Sequence, residues 1–478
     1  MNNDQTLGIP VPGWTPPPTP PRETITGRYV SLVPLNAKDH ATDLFAAFAK
    51  DKTGANWTWR MQEPFETEAA LTAWLRAIER DEAMIYFAYV DHATSKATGN
   101  GAFMSMMPAG GSIEIGSIML GPALQRTRAG TEALMLMIRW AFDAGYRRVE
   151  WTCDPLNAAS MHAAERLGFS YEALFRQAYV TKGRNRDKAI FAITDADWQN
   201  LKVVYDSWLD AANFAADGEQ LSRLSDLTAP LVQARSTPAK SDITNDLGQP
   251  LGAPVPDWTP PPHPPREAIE GRYCIVEPLD PNAHAEDLFA ANQQSDTIWD
   301  YLPYGPFDDV EAYRQWLCAE CTGRDPLFHT VINKATGRAE GIASYLRIAP
   351  ADGSIEVGHI NFAKPLQQTR AGTEAMTLLM DRAFSLGYRR YEWKCNALNT
   401  PSRRLAQRLG MSFEGVFRQA TITKGRNRDT AWYACIDSEW PRIRAAFDQW
   451  LDPVNFDVNG RQRESLSALT GPVLVRRG

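Results

Sequence analysis

The sequence predicts an α/β fold, and it predicts that fold twice. The segment "VPGWTPPPTPPRETITGRYVSLVPL" from Val11 returns as "VPDWTPPPHPPREAIEGRYCIVEPL" from Val255, and "LQRTRAGTEA" from Leu124 returns as "LQQTRAGTEA" from Leu366. The repeat is far longer than the 20 to 50 residues of a solenoid unit, so each copy should be a complete domain. Within a copy, apolar stretches typical of strands alternate with segments of helical periodicity. Each copy is therefore expected to be an α/β unit with mixed strands.

The elements of the first copy follow from periodicity and from turn residues. Runs rich in β-branched and aromatic residues predict strands over 28–35, 84–91, 99–108, 112–120, 146–153, 170–183 and 186–194. Apolar residues at helical spacing predict helices over 37–50 and 67–80. A further helix follows the quoted loop, with an apolar stripe of Leu134, Met137, Ile138 and Ala141, and ends at Gly145. A short helix begins at Asn157 and closes at Gly168.

The repeat also predicts the domain boundaries. We expect a first domain over 1–231, a linker over 232–254 and a second domain over 255–478, because the stretch between the copies is rich in Ser, Thr, Pro, Gly and Asp. Each copy has a proline tract, which predicts either an extended polyproline arm laid over its domain or a stiff spacer.

Composition excludes several classes of function. A net charge of -7 offers no basic surface for nucleic acid, and no apolar run approaches the roughly 20 residues of a membrane span. The six cysteines are scattered, and the one Cys-x-x-Cys ("CAEC") lies in a helical pattern without a second pair, which favours ordinary thiols over a metal site. We therefore expect a cytoplasmic protein that binds neither metal, nucleic acid nor membrane.

The repeated loop indicates the chemistry. A loop that joins a strand to the N-terminus of a helix offers unpaired N–H groups and the positive end of the helix dipole, which suit a phosphate. Neither a Walker sequence nor G-x-G-x-x-G is present, so ATP and dinucleotide sites are not predicted.

The loop resembles the pyrophosphate loop of the Gcn5-related N-acetyltransferases (GNAT), in its RimJ/RimL-type form Q-x-T-G-x-A-T-E-A, although arginine (Arg128, Arg370) replaces the middle glycine. Other segments fit the same branch: "EIG" and "EVG" before the loop, "GYRRVEW" and "GYRRYEW" after it, "N-x-x-S", and "ERLGF" or "QRLGM". The resemblance implies tandem acyl-CoA N-acyltransferase folds, each a mixed, mostly antiparallel sheet flanked by helices, packed as an internal pseudo-dimer. A further homodimer is left open.

The resemblance further implies that acetyl-CoA is the cofactor. The strand backbone would hold the pantetheine arm and the carbonyl oxygen, one asparagine in each half would touch the pantetheine, and the loop would hold the diphosphate. The arginines would contact the diphosphate or the 3'-phosphate, or else form a salt bridge with a nearby acid. The implied cofactor residues are Ile118, Met119, Leu120, Gln125, Arg126, Thr127, Arg128, Ala129, Gly130, Thr131 and Asn157 in the first half, and Ile360, Asn361, Phe362, Gln367, Gln368, Thr369, Arg370, Ala371, Gly372, Thr373 and Asn399 in the second.

Acetyl transfer needs a neutral amine and a proton for the departing thiolate. By similarity to RimL-type enzymes, Ser160 and Ser402 face the sulfur; the alternative is an Asn N-cap with an incidental Ser. Where those enzymes carry a Glu base, this chain has Tyr179 and Thr421. Glu114 and Glu356 remain as candidates for the base, for binding the amine, or for a surface role.

The halves differ where substrate specificity should reside. The second half reads "IWDYLPYGPF", in which Trp299, Asp300, Tyr301 and Tyr304 are expected to form an aromatic pocket with one acid for an ammonium group. The first reads "NWTWRMQEPF", with Trp57, Trp59 and Arg60. We expect an N-acetyltransferase that acts on a small amine or a protein N-terminus and is more typical in its second half. The alternative is a non-catalytic acyl-CoA-binding or scaffolding protein.

Overall fold

The computed structural model describes residues 5–216 and 218–478. Both halves carry the same succession of elements. The elements of the first half are β1 (Ile25–Thr26), β2 (Val30–Pro34), α1 (Ala37–Phe48), α2 (Glu68–Ile78), β3 (Ile85–Asp91), β4 (Lys96–Met107), β5 (Ser112–Leu120), α3 (Arg128–Asp143), β6 (Arg148–Cys153), α4 (Ala158–Arg166), β7 (Ser170–Thr181), β8 (Arg184–Thr194), α5 (Asp195–Leu209) and α6 (Leu224–Thr228).

The second half repeats this order. Its elements are β9 (Ile269–Glu270), β10 (Cys274–Pro278), α7 (Pro281–Asn292), α8 (Val310–Glu320), β11 (Leu327–Asn333), β12 (Arg338–Ala349), β13 (Ser354–Phe362), α9 (Arg370–Ser385), β14 (Arg390–Asn396), α10 (Thr400–Arg408), β15 (Ser412–Thr423), β16 (Arg426–Ile436), α11 (Trp440–Leu451) and α12 (Leu466–Thr470).

All these strands form one continuous sheet. Its order is β1-β2-β3-β4-β5-β6-β8-β7-β15-β16-β14-β13-β12-β11-β10-β9, so the second half runs in reverse beside the first. The pairs β5–β6 and β13–β14 are parallel, and the other pairs are antiparallel. The prediction of a mixed, mostly antiparallel sheet flanked by helices in each half is confirmed.

Two apolar layers cover the sheet in each half. In the first half one layer centres on α3 and α5 and includes Met137, Ile138 and Trp198, and the other centres on α1 and α2 and includes Leu44 and Leu71. The stripe predicted from the sequence on α3 is thus its buried face. The helix stops where Gly145 adopts a φ of 100°, a left-handed conformation that glycine tolerates.

The halves join where β7 meets β15, at the pair Ala173 and Gly415. Next to this pair the rings of Phe175 and Phe417 stack at 5.6 Å. Arginine bridges cross the junction reciprocally: Nη1 of the fully buried Arg148 donates to the second half, and that of Arg390 donates to the first half, each to a carbonyl oxygen at 2.7 Å. The internal pseudo-dimer is therefore built from paired strands, an apolar core and buried charges.

Most sequence predictions agree with these elements within a few residues, and strand 112–120 agrees at both ends. Helix α5 was not predicted, although its capping box of Thr194 and Asp197 is visible in the sequence. In the proline tracts, Pro17 and Pro20 are buried, as are Pro261 and Pro264. This three-residue repeat is that of a polyproline helix packed on its domain. The division into two domains and a linker stays a prediction.

Candidate functional site

Two neighbouring strands separate in the middle of each half. Parallel pairing of β13 with β14 covers Ser354–Val357 and stops there, and pairing of β5 with β6 stops at Glu114. Beyond these points β13 and β5 remain bonded only to the strand on their other side. The stretches predicted to hold a pantetheine arm, 118–120 and 360–362, thus present one open backbone edge to a cleft between the strands.

A β-bulge lies at the mouth of each cleft. The register shifts between Ile342 and Ser344 opposite β13, and His359 adopts a φ of 48°. Ser117, with a φ of 49°, holds the matching position in the first half. Residues other than glycine adopt this conformation at a cost, and bulges of this kind re-aim backbone groups next to active sites. His359 was not singled out from the sequence, because a positive φ within a strand leaves no periodic signal.

The geometry of the repeated loop suits an anion. The Thr369 hydroxyl donates to the carbonyl of Leu366 at 2.7 Å and accepts from the Gly372 N–H at 3.0 Å, so Thr369 caps α9. Among the described residues nothing accepts from the backbone N–H groups of 368–371, nor from those of 126–129 in the first half. These free donors lie at the positive end of a 16-residue helix, which favours a diphosphate.

A glycine is required just inside each helix. A Cβ on Gly372 would lie 2.6 Å from the Leu366 carbonyl oxygen, and one on Gly130 would lie 2.3 Å from that of Leu124. The loop therefore folds back against its own helix. Gln367 fixes the other end, because its side-chain amide donates to the Phe362 carbonyl at 2.8 Å.

The arginines of the loop lie between aromatic rings. The guanidinium of Arg370 is 4.8 Å from the ring of Tyr273 and 4.7 Å from that of Phe456, and Arg128 is held in the same way in the first half. Stacking leaves the edges of both guanidinium groups available to a phosphate. That these arginines contact a phosphate stays a prediction.

Another arginine near each loop was missed from the sequence. Arg408 donates to the hydroxyl of Thr373 at 3.2 Å, and Arg166 donates to that of Thr131 at 3.3 Å. No carboxylate of 5–216 or 218–478 lies within 4.0 Å of either guanidinium, and burial lowers the pKa of each. These unpaired charges reinforce the anion site. Arginine within "RLG" was the only available signal.

The Asn and Ser pairs share one geometry in both halves. Asn399 caps α10 by accepting from the Ser402 N–H at 3.1 Å, and the Trp393 ring N–H donates to the Ser402 hydroxyl oxygen at 3.1 Å. Asn157, Ser160 and Trp151 repeat these distances. Because the tryptophan occupies a lone pair of the serine oxygen, the hydroxyl proton is free to point elsewhere. The N-cap and a proton-donating serine are therefore compatible.

The two predicted carboxylates have different neighbours. Glu356, 1% exposed, forms an ion pair with Arg347 and lies 3.9 Å from Nζ of Lys394. Glu114, 3% exposed, instead accepts from the hydroxyls of Ser105 at 2.9 Å and Thr152 at 2.6 Å. Both lie at the strand position just before the cleft opens, and neither has the surface role that the sequence left open.

At the bulge, the second half presents an imidazole. The ring of His359 stacks on Tyr304 at 5.8 Å. Burial, with the positive charges of Arg347 and Arg428, lowers the pKa of His359 to about 4. The ring is therefore neutral at pH 7 with its nitrogen lone pair free, and its low pKa makes it a weak base.

In the first half an arginine occupies the corresponding space. Arg60 donates to the carbonyl of Ile118 at 2.7 Å and to that of Ser117 at 3.3 Å, and burial lowers the pKa of Arg60 to about 10. Its counterpart in the second half is Leu302, which has no such donors. One of the strand carbonyls predicted to meet the cofactor is thus already bonded in the first half.

The predicted aromatic pocket is only partly assembled. Trp57 and Trp299 are 5% and 7% exposed and belong to the apolar layers rather than to a pocket wall. Asp300 and Tyr301 line a cavity of about 100 Å³, whereas Tyr304 packs on Trp316 and His359.

Each site is covered by the chain segment that leads into the opposite half. Residues 5–12 lie on the hairpin of β15 and β16, where Asn427 N–H donates to the Ile9 carbonyl at 2.8 Å and Tyr301 donates to the Thr6 carbonyl at 2.8 Å. Residues 241–255 lie on the hairpin of β7 and β8 in the same way, and Trp59 donates to the Pro250 carbonyl at 3.1 Å. These two leading segments, 5–12 and 241–255, are the arms that cross between the halves, whereas each proline tract stays on its own half.

Comparison with known proteins agrees with this geometry. The family model described as an acetyltransferase (GNAT) domain matches residues 30–170 and 274–412, more than half of the chain. No curated protein matches the chain. Among the described residues no helix is long and apolar enough to cross a bilayer.

Solved structures resemble one half at a time. A GCN5-related N-acetyltransferase from Brucella melitensis is 44% identical, over 45% of this chain and 99% of its own, with a TM-score of 0.44. A probable GNAT-family acetyltransferase from Chromobacterium violaceum ATCC 12472 is 40% identical, over 39% and 94%, with a TM-score of 0.38. The microcin C7 self-immunity acetyltransferase MccE, solved with acetyl-CoA and AMP, is 20% identical, over 35% and 93%, with a TM-score of 0.32. Because the family model matches both halves and both halves have the same fold, the chain belongs to the GNAT acetyltransferases and carries two RimJ/RimL-like copies of that domain in tandem.

Proposed function

We propose that the second half is an acetyl-CoA-dependent N-acetyltransferase that moves an acetyl group to a primary amine by direct attack on the thioester. The acceptor is a small molecule or a protein N-terminus. One observation carries the proposal: the second half combines a loop of free N–H donors with a strand edge at 358–361 that β14 leaves unpaired. In the first half Arg60 already bonds the Ile118 carbonyl.

The residues around the loop fit coenzyme A. The free N–H groups at α9 and the unpaired guanidinium of Arg408 suit a diphosphate, and the open backbone edge of β13 suits the amides of pantetheine. When bound, acetyl-CoA supplies the activated acetyl group. Ser402 would donate the proton that the departing thiolate needs, since the Trp393 N–H already occupies the other side of its oxygen.

Two groups are candidates for removing the proton from the amine. Glu356 is the predicted carboxylate, and its ion pair with Arg347 would have to loosen for it to act as a base. His359 is neutral at pH 7 and lies at the bulge. We favour His359 as the group that accepts the proton and Glu356 as the group that holds Arg347 and Lys394 in place.

For the first half a non-catalytic role in binding acyl-CoA is the better candidate. The first half keeps the capped loop, Gly130 and Arg166, but Arg60 fills the space beside the β-bulge at Ser117. Its function would be to support the second half through the shared sheet and the crossed arms.

Matched loop variants test the proposal. Gly372→Val and Gly130→Val each push a side chain into a loop carbonyl in one half only. We expect calorimetric titration with acetyl-CoA to show two binding events in the parent protein and one in each variant. Thiol release against a panel of amines should be lost in Gly372→Val and kept in Gly130→Val. If thiol release is lost only in Gly130→Val, the active site lies in the first half. If the parent protein neither binds acetyl-CoA nor releases thiol, the proposal is refuted.

A second pair of variants tests the chemistry. Ser402→Ala should lower kcat by roughly 100- to 10,000-fold while leaving the affinity for acetyl-CoA unchanged, and Ser160→Ala should have the smaller effect. His359→Ser copies the first half and should lower kcat at every pH above about 4, where His359 is neutral. Equal rates for His359→Ser and the parent would return the role of base to Glu356.

A further inference from the structure

A cavity of about 100 Å³ lies beside the cleft of the second half. The hairpin of β15 and β16 contributes Arg426 and Arg428, β14 contributes Asn396, and the loop after α7 contributes Asp300. Gly8 of the crossed N-terminal arm closes one side. A space of this size accepts a small polar group and excludes a long chain.

The guanidinium of Arg428 has no partner in the part of the chain that the structure describes. No carboxylate lies within 4.0 Å of it, no acceptor receives a hydrogen bond from it, and its Nε atom is buried. Burial lowers the pKa of Arg428. Arg428 is partly exposed as a whole, but a buried Nε–H without an acceptor is uncommon in native proteins and calls for an explanation.

In the first half the matching arginine has an acid beside it. There the matching arginine, Arg186, lies 3.7 Å from the carboxylate of Asp154. The second half has Asn396 in place of Asp154. The local backbone is the same, because Asp154 and Asn396 each accept the N–H two residues on at 2.9 Å. A single change from carboxylate to amide has thus removed the anion that would neutralise the arginine.

Other charges near the cavity point to the same kind of ligand. Arg426 and Lys424 also line it, against one acid, Asp300. One N–H of the Arg426 guanidinium donates to the Gly8 carbonyl at 3.0 Å, and Lys424 donates to the carbonyls of Trp299 and Gly305. Arg428 is close enough to His359 for its charge to lower the pKa of that imidazole. The cavity therefore opens beside the proposed site of transfer with an excess of positive charge.

We infer that Arg428 binds a carboxylate of the acceptor, so that the enzyme acetylates a small amine that also carries a carboxylate. A guanidinium pairs with a carboxylate through two parallel hydrogen bonds, which would fill the position that Asp154 occupies in the first half. The inference rests on the proposed function and narrows its substrate class. It also separates the halves, because Asp154 closes the same position in the first one.

Thiol release from acetyl-CoA tests the inference with a set of amino acids, each compared with its own amide. The amide keeps the amine and loses the carboxylate charge. We expect the amino acids to have the lower KM in the parent protein. Arg428→Gln should raise KM for the amino acids by roughly 10- to 100-fold and leave KM for the amides unchanged, because only the amino acids carry the carboxylate that Arg428 would bind. Any change in kcat that the variant causes through the pKa of His359 should be the same for both classes.

Asn396→Asp is the matched second variant. It restores the acid of the first half while keeping Arg428, so it should raise KM for the amino acids as Arg428→Gln does and should also raise the melting temperature. Arg428→Lys should recover part of the loss. Arg186→Gln, in the first half, should leave both values of KM unchanged.

The outcomes separate the two proposals. If amines are acetylated but amino acids and amides have equal KM, or if Arg428→Gln and Asn396→Asp leave their ratio unchanged, the carboxylate site is refuted and the acetyltransferase stands. If neither class is acetylated and calorimetry detects no acetyl-CoA binding, both proposals fail. If acetyl-CoA binds but no amine of either class is acetylated, calorimetric titration with the amino acids decides: affinity that Arg428→Gln abolishes supports the site, and no affinity refutes it.

Discussion

A buried histidine in the second half makes stability depend on pH. His329 is 0% exposed, and among the described residues neither ring nitrogen has a hydrogen-bond partner of good geometry. Burial lowers its pKa to about 4, the charges of Arg382 and Arg266 act in the same direction, and the backbone at Leu327 opposes them weakly. The matching residue of the first half is Phe87, so His329→Phe is a replacement that this fold already accommodates.

The size of the effect follows from linkage. His329 titrates at its ordinary value of 6.5 in the unfolded chain and at about 4 in the folded one. The unfolded chain therefore binds more protons between these values, and stability falls as the pH drops below 6.5. Between pH 7.5 and 5.0 the loss is about 2 kcal/mol, and it saturates below pH 4.

Urea unfolding monitored by tryptophan fluorescence at the two pH values measures this loss. The quantity to compare is the free energy of unfolding of His329→Phe minus that of the parent. This difference should be about 2 kcal/mol larger at pH 5.0 than at pH 7.5. Comparing the variant with the parent cancels the contribution of His359, whose pKa is also about 4. Parallel pH profiles for the two proteins would show that His329 is not held neutral, and would refute the reasoning.

Three further predictions concern the junction, the arm and the first half. Gly415→Val should lower the melting temperature and weaken the junction by about 2 kcal/mol, because a Cβ there would lie 2.0 Å from the Glu172 carbonyl oxygen; an unchanged melting curve would contradict this. Gly8→Ala should lift the N-terminal arm, since its Cβ would lie 1.9 Å from the Asn427 carbonyl oxygen; limited proteolysis should then cut the arm faster, and equal cutting rates would count against the crossed arm. Arg60→Leu copies the second half and frees the Ile118 carbonyl; calorimetry should show tighter acetyl-CoA binding by the first half, and unchanged affinity would show that Arg60 does not block the cleft.

Local chemistry was readable from the sequence. The duplication, the strand 112–120, the helix after each loop and its glycine stop all follow from periodicity and from residues with special backbone freedom. The loop was recognisable because a capping threonine and a glycine at fixed spacing are needed to turn a strand into a helix with free N–H groups. The pairing of Asn399 with Ser402 is likewise a matter of four consecutive residues.

Features that depend on contacts between residues far apart in the sequence could not be predicted from it. The sequence indicated two similar domains, but only the tertiary structure joined them through Ala173 and Gly415 and crossed their arms, because such contacts link residues hundreds of positions apart and leave no periodic signal. Sequence reasoning likewise put Trp299 in a pocket, whereas packing buries it. The difference between Arg186 and Arg428 is the clearest case. Both arginines stand in the same motif, and their states differ because of a residue 32 positions earlier, on another strand. The sequence by itself determined the elements and the family, while tertiary structure decided which charges are left unpaired, since burial and partners are properties of neighbours in space.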